Sequence, residues 1–218
     1  MNPIQKTILS FDWITLALVL SLLSLTLAKY ISQNKFLTFI ILPFNHKYIV
    51  LSNKKGRLFN WFHILTTLFQ CINLSLFVVL IKRTWDTSKI ENESQVFLFI
   101  VAFTILFIAF KILLQLFKSY VFNTQKLVLD LIFRKITYFN YSSLIMFISN
   151  VILVYMLDGS KTVIYISVVL ILSINAIGLA KLIKNHQNII SHYIFYFILY
   201  LCTLEIAPLV VIGSYLKG

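Results

Sequence analysis

The chain has 218 residues, of which 60% are hydrophobic, 12% charged and 16% aromatic, and its mean hydropathy is +0.90. A soluble domain carries about 45–50% apolar and about 25% charged residues, so half the charge needed to coat a water-facing surface is missing. Composition excludes a soluble enzyme, a disulfide-built secreted domain and a disordered tail, and it points to a polytopic membrane protein. The excess of 19 Lys and Arg over 7 Asp and Glu falls between apolar runs, where it orients helices and meets anionic headgroups rather than nucleic acid.

A bilayer core about 30 Å thick takes roughly 20 helical residues per crossing. Six runs are long enough: 12–32, 58–82, 96–118, 137–157, 162–183 and 192–215. A barrel would instead show alternating strands of roughly 10 residues. The expected fold is therefore all-α, a transmembrane bundle of about six helices forming one domain over 1–218. The first run reads as an uncleaved helix, although Thr26-Leu27-Ala28 is similar to a signal-peptidase site. Cys71 and Cys202 both lie inside apolar runs and behave as small hydrophobes, with no disulfide implied.

Two connectors are more than linkers. Residues 36–51, FLTFIILPFNHKYIVL, are apolar but interrupted at Pro43, too short on either side to cross; Lys54, Lys55 and Arg57 follow. Residues 121–136, VFNTQKLVLDLIFRKI, place Lys126, Asp130 and Arg134 at i, i+4 and i+8 on one stripe. Leu127, Val128, Leu131, Ile132 and Phe133 cover much of the rest. This pattern suits an amphipathic segment in the membrane interface with its basic residues at the headgroups, and it equally suits one packed against a partner or the bundle.

With six crossings, one face collects Lys6, Lys82, Arg83, Lys89, Lys161 and Lys217. The other collects twelve basic residues, among them Lys29, Lys35, Lys47, Lys54, Lys55, Arg57, Lys126, Arg134 and Lys135. The positive-inside bias puts the richer face in the cytoplasm and both termini outside. Trp13 and Trp85 then mark the outer interface and Trp61 the inner one. A weak internal echo accompanies this layout. Phe44-Asn45 opens a basic stretch ending at Phe59-Asn60-Trp61, and Phe122-Asn123 opens one ending at Phe139-Asn140-Tyr141. Each leads into a run with a mid-membrane Asn, Asn73 or Asn150, the arrangement of a parallel repeat.

The most pointed intramembrane residue is Glu205, in LYLCTLEIAPLVVIG of the sixth run. A charged carboxylate at the midplane costs at least ~2.5 kcal/mol, so it must be paired, protonated or beside water. Pro208 removes a hydrogen bond and kinks the helix there. Lys111 in the third run is the expected partner of Glu205, or it snorkels to the inner interface. Gln70, Asn73, Asn150 and Asn175 read as interhelical hydrogen-bonding groups forming a polar seam. His63 reads as a satisfied interfacial histidine rather than a proton relay. One acid alone is a poor transporter signature, so Glu205 is read first as a structural or coupling group and second as part of an ion path.

The missing motifs bear on activity. No second intramembrane acid accompanies Glu205 for acid–base or metal chemistry. His186 and His192 do not form H-E-x-x-H, and neither G-x-S-x-G nor a phosphate-binding G-x-x-x-x-G-K-[ST] loop occurs. No enzyme activity and no cofactor are expected.

The run FYFILYLCTLEIAP, with Glu205 and Pro208, and the Arg57…Asn60 approach to the second run carry a resemblance. They are similar to a family of small polytopic inner-membrane proteins of unknown function from Bacteroidota, and the length and multi-helix layout fit as well. The resemblance implies the inner membrane of a bacterium with an outer membrane; it supplies no activity and no catalytic residue. The expected function is a non-enzymatic subunit or accessory factor of a cell-envelope complex, such as secretion or motility machinery. Its partners would be membrane lipid and other integral membrane proteins. The alternative is a proton- or ion-coupled carrier of a lipid or small solute using Glu205; a lipid-modifying enzyme is less favoured, having no acid–base pair.

Overall fold

A computed structural model of the chain describes residues 12–42, 60–85, 93–121 and 125–185. They form α1 (Asp12–Ile31), α2 (Gln33–Ile40), α3 (Trp61–Trp85), α4 (Glu93–Val121), α5 (Gln125–Tyr155) and α6 (Lys161–Asn185). The fold is all-α. Five of these helices carry spans long and apolar enough to cross a membrane: Trp13–Ile31, Trp61–Trp85, Glu93–Phe117, Leu131–Tyr155 and Lys161–Lys181. They correspond to the first five apolar runs; the sixth, 192–215, lies outside the described residues. Met1–Gly178 forms one compact unit and Leu179–Gly218 another; of the second, only 179–185, the end of α6, is described.

Within the first unit α3 is the hub, packed against α1, α4 and α5. The buried stripe of α1 is Ile14, Ala17, Leu18, Ser21, Ser24 and Ala28; four of the six are small, which lets helix backbones approach closely in a membrane. Ser21 and Ser24 donate to the carbonyls of Leu18 and Ser21 in their own helix, so burying them leaves no hydroxyl stranded.

The bundle has two distinct ends. At one, Trp13 packs on Phe97 at 5.3 Å, Trp85 meets Tyr165 edge-on at 5.9 Å, and Arg83 pairs with Asp158 at 3.7 Å. The α5–α6 turn closes there through Gly159, whose φ of 69° suits a residue without a Cβ. At the other, α2 folds Phe39 and Leu42 inward. Phe39 meets Phe62 at 5.8 Å and Tyr141 at 5.7 Å. The tryptophans thus sort as expected, with Trp13 and Trp85 at one end and Trp61, on the first residue of α3, at the other.

Two segment boundaries differ from the sequence reading. The segment 36–51 does not start an element of its own: α2 begins at Gln33 and ends at Ile40, ahead of Pro43, and 43–51 lie outside the described residues. The amphipathic stretch 121–136 is not separate either. Val121 closes α4, and Gln125–Tyr155 is a single helix of 31 residues. No Pro or Gly occurs within it, so nothing interrupts the hydrogen-bond ladder where the amphipathic part meets the apolar part. At 1.5 Å per residue it spans about 46 Å, more than the ~30 Å hydrocarbon core. Its first turns therefore extend past the level of Trp61.

Candidate functional site: a polar seam between α3 and α5

On α3, His63, Thr66, Gln70 and Asn73 follow one another at three- and four-residue steps, which places them on one stripe. All four are buried. On α5, Asn140, Ser143 and Asn150 form a second buried stripe. The two stripes face each other. The Asn140 side-chain nitrogen lies 3.2 Å from Nδ1 of His63 and donates to the Thr66 and Thr67 hydroxyls, each at 3.1 Å. Higher up, Asn150 donates to the backbone carbonyl of Asn73 at 3.0 Å and lies 3.5 Å from its Oδ1. The His63–Asn140 and Asn73–Asn150 pairs are both 77 positions apart, so α3 and α5 run parallel and in register.

Local chemistry fixes these orientations. The Thr66 hydroxyl donates to the carbonyls of Phe62 and His63, and that of Thr67 to His63, so both oxygens turn lone pairs to Asn140. Facing three acceptors, the amide nitrogen stays on that side, and His63 Nδ1 must accept. The ring proton then sits on Nε2. The edge of the His63 ring is closed by Phe133, 5.0 Å away and nearly perpendicular. Two further hydroxyl pairs flank the seam, Ser149 with Ser167 of α6 at 2.6 Å and Ser75 with Thr104 of α4 at 3.5 Å.

Five seam atoms lack a hydrogen-bond partner among the described residues: His63 Nε2, both amide atoms of Gln70, and Oδ1 of Asn140 and of Asn150; the Tyr138 hydroxyl, on the side of α5 toward α6, is a sixth buried atom without one. Gln70 is 1% exposed. Leaving such a group dry costs about 1–3 kcal/mol by protein measurements and more in hydrocarbon. Six unmet atoms set that cost against a whole domain's stability of about 5–15 kcal/mol.

The expected residues distribute as follows. Asn73 and Asn150 come together. Asn175 does not join them: it donates to Ile171 of its own helix at 2.8 Å. Gln70 lies on the seam but makes no interhelical bond, and His63 is buried with one nitrogen unmet, so neither matches its sequence reading. Lys111 is half-buried, with its ammonium 5.9 Å from the Phe107 ring centre. Glu205, Pro208, Lys54, Lys55 and Arg57 lie outside the described residues. Lys126 and Asp130 fall on α5 with Arg134, and of these only the Arg134 side chain, half-buried, is described. The sequence reading missed Asn140, Thr66, Thr67 and Tyr138. The three- and four-residue steps from His63 through Asn73 were the available signal. Among the described residues no three of His, Cys, Asp and Glu gather as a metal site; the seam offers neutral donors and acceptors.

This architecture is that of a polytopic α-helical membrane protein with a polar interior. The chain belongs to the family of the domain of unknown function DUF4271, whose model matches residues 14–216. No curated protein and no solved structure matches it.

Proposed function

We propose that the protein is a non-enzymatic integral membrane subunit or accessory factor of a bacterial cell-envelope complex, with secretion or motility machinery as the candidate class. The observation that carries this reading is the outer face of α4. Phe99, Phe103, Leu106, Phe110, Leu113, Phe117 and Tyr120 are each 54–75% exposed, and they recur at alternating steps of four and three. Lipid contact requires only apolar side chains. Within an exposed apolar face that also carries Leu98, Ile105, Phe107 and Leu116, this 3.5-residue row kept over three heptads is the pattern of a helix–helix seam. Of the five spans, that of α4 is also the least buried by its own bundle.

The setting proposed is the inner membrane of a member of the Bacteroidota, both termini periplasmic, on the strength of the Lys and Arg bias. The His63 end is then cytoplasmic; Arg134, and by sequence position Lys54, Lys55, Arg57 and Lys126, are docking candidates. A second reading, a carrier for a proton, ion or small solute, is favoured by the unmet polar atoms between α3 and α5, with Glu205 as the proposed coupling group.

The test is a pull-down in mild detergent of the chain tagged at its own locus, with quantitative mass spectrometry. The subunit reading expects one membrane protein at near-equal stoichiometry, lost in the Phe103→Ala/Phe110→Ala variant while abundance holds. A folded chain recovered alone shifts the conclusion to the carrier.

A further inference from the structure

We infer that the α3–α5 seam is a binding site for water: ordered molecules occupy it from the level of His63 and Asn140 up to that of Asn73 and Asn150. The inference goes beyond either functional reading and holds for a subunit and a carrier alike.

Three observations carry it. The unmet atoms are not scattered. His63 Nε2 and Asn140 Oδ1 belong to the lower cross-helix pair, Asn150 Oδ1 to the upper one, and Gln70 lies between them on α3. Ten residues separate the two levels on each helix, about 15 Å, so unsatisfied groups recur along half a membrane. Secondly, the unmet groups are mixed. His63 Nε2–H and the Gln70 amide nitrogen donate, and the Gln70, Asn140 and Asn150 oxygens accept. An occupant must accept and donate along one narrow line, which water does, a buried molecule making about three such bonds. Thirdly, the seam residues bonded across this interval are uncharged, so nothing there compensates a desolvated ion. The flanking space is filled by packed rings, Phe69 on Phe147 at 5.8 Å, which leaves little room for a larger solute.

Radiolytic hydroxyl-radical footprinting of the full chain in lipid nanodiscs tests this, because radicals generated from a bound water oxidise the buried side chains beside it. Phe69 borders Gln70 on α3 and is 1% exposed; Phe39 of α2, 2% exposed, sits in an aromatic cluster and serves as the dry reference of the same residue type. The expected result is oxidation of Phe69 several-fold faster than of Phe39, falling to the Phe39 rate in Gln70→Leu/Asn150→Leu. Equal rates at Phe69 and Phe39 in the unsubstituted protein would overturn the inference, whatever the variant does. So would a stoichiometric organic molecule released when the purified protein is denatured, since it would occupy the same groups.

Discussion

At Asn140 one side-chain amide nitrogen faces three acceptors on α3, Nδ1 of His63 and the Thr66 and Thr67 hydroxyls. Interhelical hydrogen bonds in membranes are worth ~0.6 kcal/mol on average, so Asn140→Ala should lower stability by about 1–2 kcal/mol. Asn175→Ala removes only a bond within α6 and should cost well under that; unfolding equilibria of the two variants in bicelles give the comparison. The Arg83–Asp158 pair, with Asp158 more than half exposed, should behave as a surface pair. Asp158→Asn is expected to change stability by less than about 1 kcal/mol in the same assay. At this scale the sequence displayed which polar residues sit at membrane depth but not their facing. Asn73 and Asn175 look alike in a string of apolar letters, and each donates to the carbonyl four residues back, Phe69 or Ile171; only Asn73 also meets α5, its backbone carbonyl accepting from Asn150. The difference is a rotation about the helix axis, which one sequence of low amphipathicity does not encode.

Among the elements, α5 and α6 approach each other closely at one point, Gly178 against Tyr138. A Cβ built on Gly178 would fall 2.6 Å from Cγ of Tyr138, a ring that is itself buried and cannot swing away. Gly178→Ala should therefore destabilise by about 1–3 kcal/mol through overpacking, and Tyr138→Ala should recover part of that loss in the double variant, measured by thermal unfolding in detergent. The five described spans were legible from length and hydropathy, because about 20 apolar residues in a row have few other homes. The length of α5 was not. An amphipathic stretch with Lys126, Asp130 and Arg134 reads equally as a helix lying on the membrane or as one rising out of it. Only the uninterrupted backbone from Gln125 to Tyr155 decides. The α4 face was hidden for a related reason: its heptad row stands out only once the inward residues, such as Thr104 and Gln115, are known.

For the molecule as a whole, the small residues of α1, the polar stripe of α3 and its partner on α5 set the bundle around α3, while the large apolar residues of α4 are left outside. The two ends differ in charge, and this predicts sidedness. Reporter fusions after Gly159 and after Asn123 should read on opposite sides of the membrane, with Asn123 cytoplasmic; the same side for both would contradict the alternation of crossings. Under the proposed function, the exposed row of α4 seats another protein. A photocrosslinking amino acid at Phe110 of α4, compared with one at the equally exposed Leu172 of α6, addresses it in living cells. A discrete adduct with one membrane protein from position 110 and none from 172 is the expected result. Lipid adducts alone at both positions would contradict it.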